Sequence, residues 1–261
     1  MPNDPEAAAS RLLTLARDLK RRKARERNAR FVAEGVRAVE ELVRSGLPIR
    51  GALATDELAG SARGAALIQA LANVGVQPAT VSETDFRSAA GTDSPQGVLA
   101  IADVPDRPIG SLGTADLGRV LVLDAIQDPG NVGSMIRTAA AMGVRTVVAL
   151  PGTADPWNAK VVRSAAGGHF HINVIRADLS DLEAALAAAG VPLWGADASG
   201  QPVSSVAAPA RLALALGNEG GGLTAGVRGA VDQLVALPMT PGVESLNVGV
   251  AAGILLYALA T

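Results

Sequence analysis

Apolar residues along this chain keep two rhythms, one at helical spacing and one in short continuous runs, and the two alternate from end to end. Residues 6–27 carry Leu12, Leu15, Ala16 and Leu19 three to four apart with cations between them, which predicts one long helix. A strand is predicted at 31–35, then a helix at 36–43 that stops at Gly46 with Pro48 beyond. Strands at 49–54, 77–81 and 97–102 accompany a helix at 64–73 ended by Gly75, giving a small α/β unit. Residues 104–118 hold two prolines and three glycines without periodicity and read as an interdomain linker.

From Arg119 the alternation restarts more regularly. Buried strands are predicted at 120–123 and 146–150, a continuous apolar strand at 211–216, and further extended segments at 172–175, 192–196 and 233–237, with helices at 132–142, 160–166 and 179–189 between them. Continuous apolar strands alternating with helices imply a parallel sheet covered on both faces, so the fold class is α/β. In such sheets ligands sit beyond the carboxyl ends of the strands.

Size and composition narrow the chemistry. At 261 residues the chain holds one large or two modest domains. There is no cysteine, which removes disulfides and Cys-based zinc or redox sites; His169 and His171 are the only soft ligands left, and no metal is expected. No apolar run reaches membrane-spanning length and the first residues lack a signal-peptide core, so no membrane role is expected and the cytoplasm is the expected compartment.

The net charge of −2 conceals an asymmetry. Arg17, Lys20, Arg21, Arg22, Lys23, Arg25, Arg27 and Arg30 face only Asp18 and Glu26, so this stretch carries +6 and the remainder −8. Such a cluster is either a solvated helix face or a site for phosphate backbones, and the scarcity of aromatics favours phosphate contact over base stacking.

Three predicted strands end in unusual loops. After 120–123, Asn131 stands where a helix N-cap is expected, and Arg137 lies two turns further among Ala, Met and Ile; it either points to water or meets an anion. Leu216 opens a loop in which Gly217, Gly220, Gly221 and Gly222 surround Glu219. The final strand leads into Pro238 and Met239, and Ser245 reads as the N-cap of a last helix whose first turn holds the polar Asn247. That amide either closes a hydrogen bond to its own loop or belongs to a ligand pocket at the sheet's mouth. GxGxxG and GxxxxGK[ST] patterns are absent from these loops, and no Ser-His-acid arrangement is suggested.

In order and spacing, the three loops resemble the three motifs of the SpoU-type (TrmH-like) RNA ribose 2′-O-methyltransferases of the SPOUT superfamily. The matching positions are Asn131 with Arg137, the run Leu216-Gly217-Asn218-Glu219-Gly220, and the run from Pro238 and Met239 through Glu244-Ser245-Leu246-Asn247-Val248 into Ala251-Ala252-Gly253. A weaker resemblance, carried by Phe31-Val32-Ala33-Glu34-Gly35 and Ser94-Pro95-Gln96-Gly97-Val98, is to the L30e-like substrate-binding domain often fused to these enzymes. The division expected is an L30e-like RNA-binding domain over 1–103 with a basic N-terminal helix, a linker over 104–118 and a SPOUT methyltransferase domain over 119–261.

The resemblance implies a C-terminal trefoil knot, a homodimer, and S-adenosylmethionine held by backbone at Leu216, Gly217, Leu237, Met239, Leu246 and Asn247. It implies that Arg137 acts at the 2′-hydroxyl with Asn131, Glu219, Ser245 and Asn247 around it. The substrate implied is a structured RNA, 23S ribosomal more than transfer RNA, with the basic residues 17–30 supplying affinity. A non-catalytic RNA-binding protein that keeps the fold, and an unrelated nucleotide-binding α/β enzyme, are the alternatives.

Overall fold

The computed structural model describes residues 5–240, 242 and 245–260. These form two compact units, a front unit running to Pro105 with Trp157–Phe170 added, and a rear unit of Asp106–Pro156 with the described residues from His171 onward.

The front unit contains α1 (Pro5–Asp18), α2 (Arg22–Asn28), β1 (Arg30–Glu34), α3 (Val36–Ser45), β2 (Ile49–Ala54), α4 (Asp56–Ala59), α5 (Ala62–Asn73), β3 (Ala79–Thr80), α6 (Glu83–Ala89) and β4 (Val98–Asp103). Its sheet runs β1-β4-β2-β3, with β4 antiparallel to both neighbours and β3 parallel to β2. Leu13, Ala16 and Leu19 of the N-terminal segment pack on Val32, Leu53, Phe86, Leu99 and Ile101, so the helical spacing read at 12–19 marks a true core face.

The single helix expected over 6–27 is two helices. After Leu19 no apolar residue continues the buried stripe until Ala24, and the chain turns at residues 19–21. Arg25 stabilises that turn: only 4% exposed, its Nη1 donates to the carbonyls of Leu19 (2.7 Å) and Lys20 (2.9 Å). Those carbonyls lie just past the C-terminus of α1, where acceptors lack helical partners and a cation is favoured.

The rear unit contains β5 (Arg119–Leu123), α7 (Pro129–Ala141) and β6 (Thr146–Ala149). Then α8 (Ala159–Ser164), which packs in the front unit, precedes β7 (Asn173–Arg176), α9 (Leu179–Ala189), β8 (Leu193–Pro202), β9 (Leu212–Leu216), α10 (Ala225–Ala230), β10 (Gln233–Ala236) and α11 (Val248–Ala258). All six strands are parallel in the order β10-β8-β9-β5-β6-β7. β5 is central, with Val122 opposite Val148 of β6 and Ala215 of β9, and the run Val120–Leu123 is buried on both faces. The sheet leaves β5 in one direction through β6 and β7, and in the other through β9, β8 and β10. Ligands of open parallel sheets settle beyond the carboxyl ends where strand order reverses, here between β5 and β9.

Two stretches behave differently from their sequence reading. In the segment 104–118, Ile109 and Leu117 are buried in the rear core beside Val120 and Val148, and the Thr146 hydroxyl donates to the Asp116 carbonyl at 2.8 Å; the piece after Pro105 is packed structure, not a loose tether. Trp157–Phe170 lies within the 119–261 span yet packs with the front unit. Trp157 tilts against Phe31 with ring centroids 4.7 Å apart, Phe170 stacks on Phe31 at 6.1 Å, and Arg163 of α8 faces the buried Glu34 at 3.5 Å. Aromatic burial of this kind outweighs sequence proximity.

Candidate functional site

The site is built from the loops that follow β5, β9 and β10. Asp124, directly after β5, is 2% exposed; its amide donates to the Leu216 carbonyl (2.9 Å) and its carboxylate accepts from the amide (2.7 Å) and hydroxyl (3.2 Å) of Thr224. The first two loops are thereby clipped to each other. Asn218 adds a second clip: Nδ2 donates to the Ala125 carbonyl at 3.0 Å, while Oδ1 accepts from the amides of Gly220 (2.9 Å) and Gly221 (3.2 Å) and shapes the glycine turn. Gly217 permits this turn, because a Cβ there would stand 2.1 Å from the carbonyl carbon of Gly222. Asp124 was not singled out from sequence, where a carboxylate that follows an apolar strand in a parallel sheet was the available signal; Asn218 stood in the second motif without a role of its own.

Both caps read from sequence sit elsewhere. α7 starts at Pro129 and its cap is Asp128, whose Oδ1 accepts from the Asn131 amide at 2.8 Å; Pro at N1 fits, since that position needs no donor. α11 is capped by Asn247, not Ser245: Oδ1 accepts from the amides of Gly249 (2.9 Å) and Val250 (3.3 Å). Asn247 is exposed, so it is no buried amide in search of a partner.

With its cap duty removed, the Asn131 side chain is free to bridge. Its Nδ2 donates to Glu219 Oε1 at 2.6 Å, and its Oδ1 accepts from Asn247 Nδ2 at 3.0 Å. Each link fixes the next. A carboxylate only accepts, so Asn131 turns its NH2 to Glu219; its oxygen then faces Asn247, whose own oxygen is left for the helix amides. Three residues separated by 88 and 116 positions thus form one polarised chain from the N-terminus of α11 to Glu219. Close packing of α7 on α11 makes this possible, with Gly249 facing Ser134 and Gly253 facing Thr138.

Beside Glu219 opens a cleft of 400 Å³. Leu216, Gly217, Leu237, Met239, Ser245 and Leu246 line it, as do Val248, Ala251 and Leu255 of the last helix. Asn247 stands outside this wall, and Pro241, Val243 and Glu244 of the third motif lie outside the described residues. One wall residue that sequence reasoning missed is Asp197 in β8. Burial works to raise its pKa, yet the Ser199 hydroxyl and amide on Oδ1 and the Arg228 guanidinium on Oδ2 together hold the carboxyl below its ordinary value. Nothing in the strand pattern marked it, because β8 was expected to stop at residue 196.

Arg137 does not join this network. It is exposed on α7 and makes no hydrogen bond or ion pair with the described residues. Of the basic residues read as one cluster, Arg17 pairs with Asp85, Arg21 with Asp18, Arg22 with Glu26 and Arg30 with Asp103, Lys20 donates to the Ser88 carbonyl, and Arg25 is internal. Lys23 and Arg27 are exposed without a partner among the described residues. No helix among the described residues is long and apolar enough to cross a membrane.

A family model described as the SpoU rRNA Methylase family matches residues 118–257, and one described as the MRM3-like substrate binding domain matches residues 14–100. The chain is similar to the 23S rRNA (guanosine(2553)-2′-O)-methyltransferase RlmP of Bacillus subtilis, 36% identical over 97% of this chain and 98% of that protein. Among solved structures it resembles the SpoU methyltransferase AviRb from Streptomyces viridochromogenes in complex with AdoMet, with TM-score 0.85, 27% identity, 95% of this chain and 96% of that one covered. An AdoMet-bound rRNA methyltransferase from Sinorhizobium meliloti is similar too, with TM-score 0.83 and 26% identity over 95% of this chain and 93% of that one. A model that spans the whole rear sheet, joined to a relative alike over nearly the full length, establishes that the chain belongs to the SpoU rRNA methylase family.

Proposed function

We infer that this chain transfers a methyl group from S-adenosylmethionine to a ribose 2′-hydroxyl of ribosomal RNA, with 23S ribosomal RNA as the substrate class of its named relatives. The observation that carries the site assignment is the convergence of Glu219, Asn131 and Asn247 beside the cleft walled by Leu216, Gly217, Leu237, Met239 and Leu246.

The cleft suits the cofactor. Its walls are apolar, its glycine turn brings backbone groups within reach, and its charged wall groups among the described residues are carboxylates, which suits a sulfonium. Leu216, Gly217, Leu237, Met239 and Leu246 would hold it, mainly through backbone, with the Asn247 backbone next to them between the wall residues Leu246 and Val248. When bound, S-adenosylmethionine supplies an electrophilic methyl group. The chain's own task is to align the hydroxyl and ease loss of its proton. Glu219 has one carboxylate oxygen on Asn131 and the other without a protein partner among the described residues, so it can accept a proton or orient a donor. In this reading Arg137 clamps the substrate phosphate and stabilises the forming alkoxide, with Ser245 as a further polar contact. Its lack of a protein partner among the described residues suits that work.

We further propose a homodimer. Val250, Ile254 and Tyr257 form an exposed apolar stripe along α11 that Leu246, just before the helix, continues, and Tyr257 is 72% exposed; a second copy would cover it at the rim of the cleft, since Leu246 also lines that cleft. The proposal includes a C-terminal trefoil knot, supported by the insertion of β9 between β8 and β5 and by the clips at Asp124 and Asn218. It also includes a front L30e-like RNA-binding domain, supported by the substrate-binding family model, and cytoplasmic action on the ribosome.

The test is incubation of the full chain with tritiated S-adenosylmethionine and ribosomal RNA, followed by mapping of the labelled nucleotide. Label is expected on ribose, at a bond that resists alkali. Label on a base overturns the 2′-O assignment.

A further inference from the structure

We infer that Asp197 sets the ligand specificity of the cleft, its carboxylate favouring the positively charged methyl donor over the neutral thioether left after transfer; this rests on the cofactor reading above. Among the described residues, the cleft wall holds two carboxylates, Asp197 and Glu219, and no lysine or arginine. Asp197 leans on the glycine turn, where a Cβ on Gly222 would lie 4.0 Å from its Oδ2. Its side chain is 13% exposed, so its field acts through a medium less screening than water. Ser199 fills Oδ1 with two hydrogen bonds, and Arg228 binds Oδ2 from outside, being itself absent from the cleft wall. The carboxylate is held in its ionised form as a result, and it lines the cleft while the guanidinium that pairs with it does not.

S-Adenosylmethionine carries a sulfonium, an ammonium and a carboxylate, a net positive charge. S-Adenosylhomocysteine is net neutral and otherwise nearly isosteric. A negative wall therefore attracts the donor and is indifferent to the by-product, which favours release after each turnover. Because the discrimination is electrostatic, it has a sign that opposite changes must move in opposite directions. Asp197→Asn removes the charge while keeping size and one acceptor for Ser199. Arg228→Gln removes the compensating cation and exposes the charge more fully.

The experiment is calorimetric titration of the full chain and both variants with S-adenosylmethionine, S-adenosylhomocysteine and sinefungin, whose amine replaces the sulfonium by a cation that transfers nothing. For D197N, affinity for the two cationic ligands is expected to fall about fivefold while that for S-adenosylhomocysteine changes less than about twofold, the size of one Coulomb interaction at moderate screening. For R228Q, the ratio of donor to by-product affinity is expected to rise. Equal losses for all three ligands would assign Asp197 a merely structural role, and an R228Q ratio that stays level or falls would exclude charge as the cause; either overturns the inference. If the unaltered chain binds none of the three, the cofactor reading itself fails.

Discussion

Two regions of this molecule are unusually polar for their surroundings, and the fold uses them in opposite ways. At the rear, single polar residues scattered over more than a hundred positions meet: Glu219, Asn131 and Asn247 join in one hydrogen-bonded chain whose every orientation is fixed by its neighbour. At the front, eight cations packed into fourteen residues disperse, most of them into ion pairs or carbonyl contacts within the same unit. Density of charge along a sequence is thus a poor guide to available charge. A lone polar residue at the end of an apolar strand or the start of a helix is a better one, because burial of its neighbours leaves it few places to go.

The sharpest way to break the comparison is at Arg137, a rear-unit cation with no partner among the described residues. Arg137→Ala is expected to lower methyl transfer by at least about 100-fold, the scale of losing a group that stabilises developing charge. Thermal stability and S-adenosylmethionine affinity should stay unchanged, because the side chain is exposed and has no partner among the described residues. A parallel fall in cofactor affinity would show that this arginine belongs to the cleft and not to the RNA. Next in size is Gly217→Ala, whose Cβ must displace the Gly222 backbone from 2.1 Å. Destabilisation of about 1–3 kcal/mol is expected from overpacking, together with loss of cofactor binding. Binding at full strength, measured by calorimetry, would mean the glycine turn does not shape the cleft.

Much of this was legible beforehand, for reasons that differ by region. Val120, Leu121, Val122 and Leu123 announce a strand buried on both faces, and β6 and β9 beside it follow that pattern, while β7, β8 and β10 towards the edges are only partly buried. The meeting of Asn131, Glu219 and Asn247 could be anticipated only through motif resemblance, since nothing local ties residues so far apart. Caps were misplaced because Asp128 precedes a proline and Asn247 follows a serine. In each case two competent capping residues lie within three positions, and only backbone geometry chooses. Asp197 stayed hidden in a polar run that continues β8, where alternation gives no warning. The packing of Trp157 on Phe31 was out of reach, because periodicity reports which face is apolar and never which partner covers it.

The front unit invites a pair of experiments that separate structural from available cations. Arg25→Gln is expected to cost about 1–2 kcal/mol of stability, through loss of charged hydrogen bonds to the Leu19 and Lys20 carbonyls. RNA affinity of the folded fraction should change little. The double change Lys23→Gln with Arg27→Gln should do the reverse: stability is kept, RNA affinity drops several-fold, and the slope of log affinity against log salt falls by about 2, one for each phosphate contact removed. Filter binding across a salt series checks this. An unchanged slope would place the RNA surface away from α2.

The smallest expected effect lies in Asp103, which shows how front-unit charges work when they pair. Hydrogen bonding from Arg50 holds its carboxyl below the ordinary value of 3.8, burial opposes this, and the charges of Arg50 and Arg30 add to the lowering. A carboxylate with a depressed folded pKa contributes stability that is present above its unfolded value and lost as pH falls through the folded one. Asp103→Asn should therefore lower the urea midpoint slightly at neutral pH, less so at high salt. Unaltered chain and variant should converge when the pH is taken well below 3.8. A gap that persists in acid would mean that β4 is held there by the shape of the hydrogen bonds and not by charge. Asp103 would then stand closer to the rear network, where geometry decides, than to the dispersed cations around it.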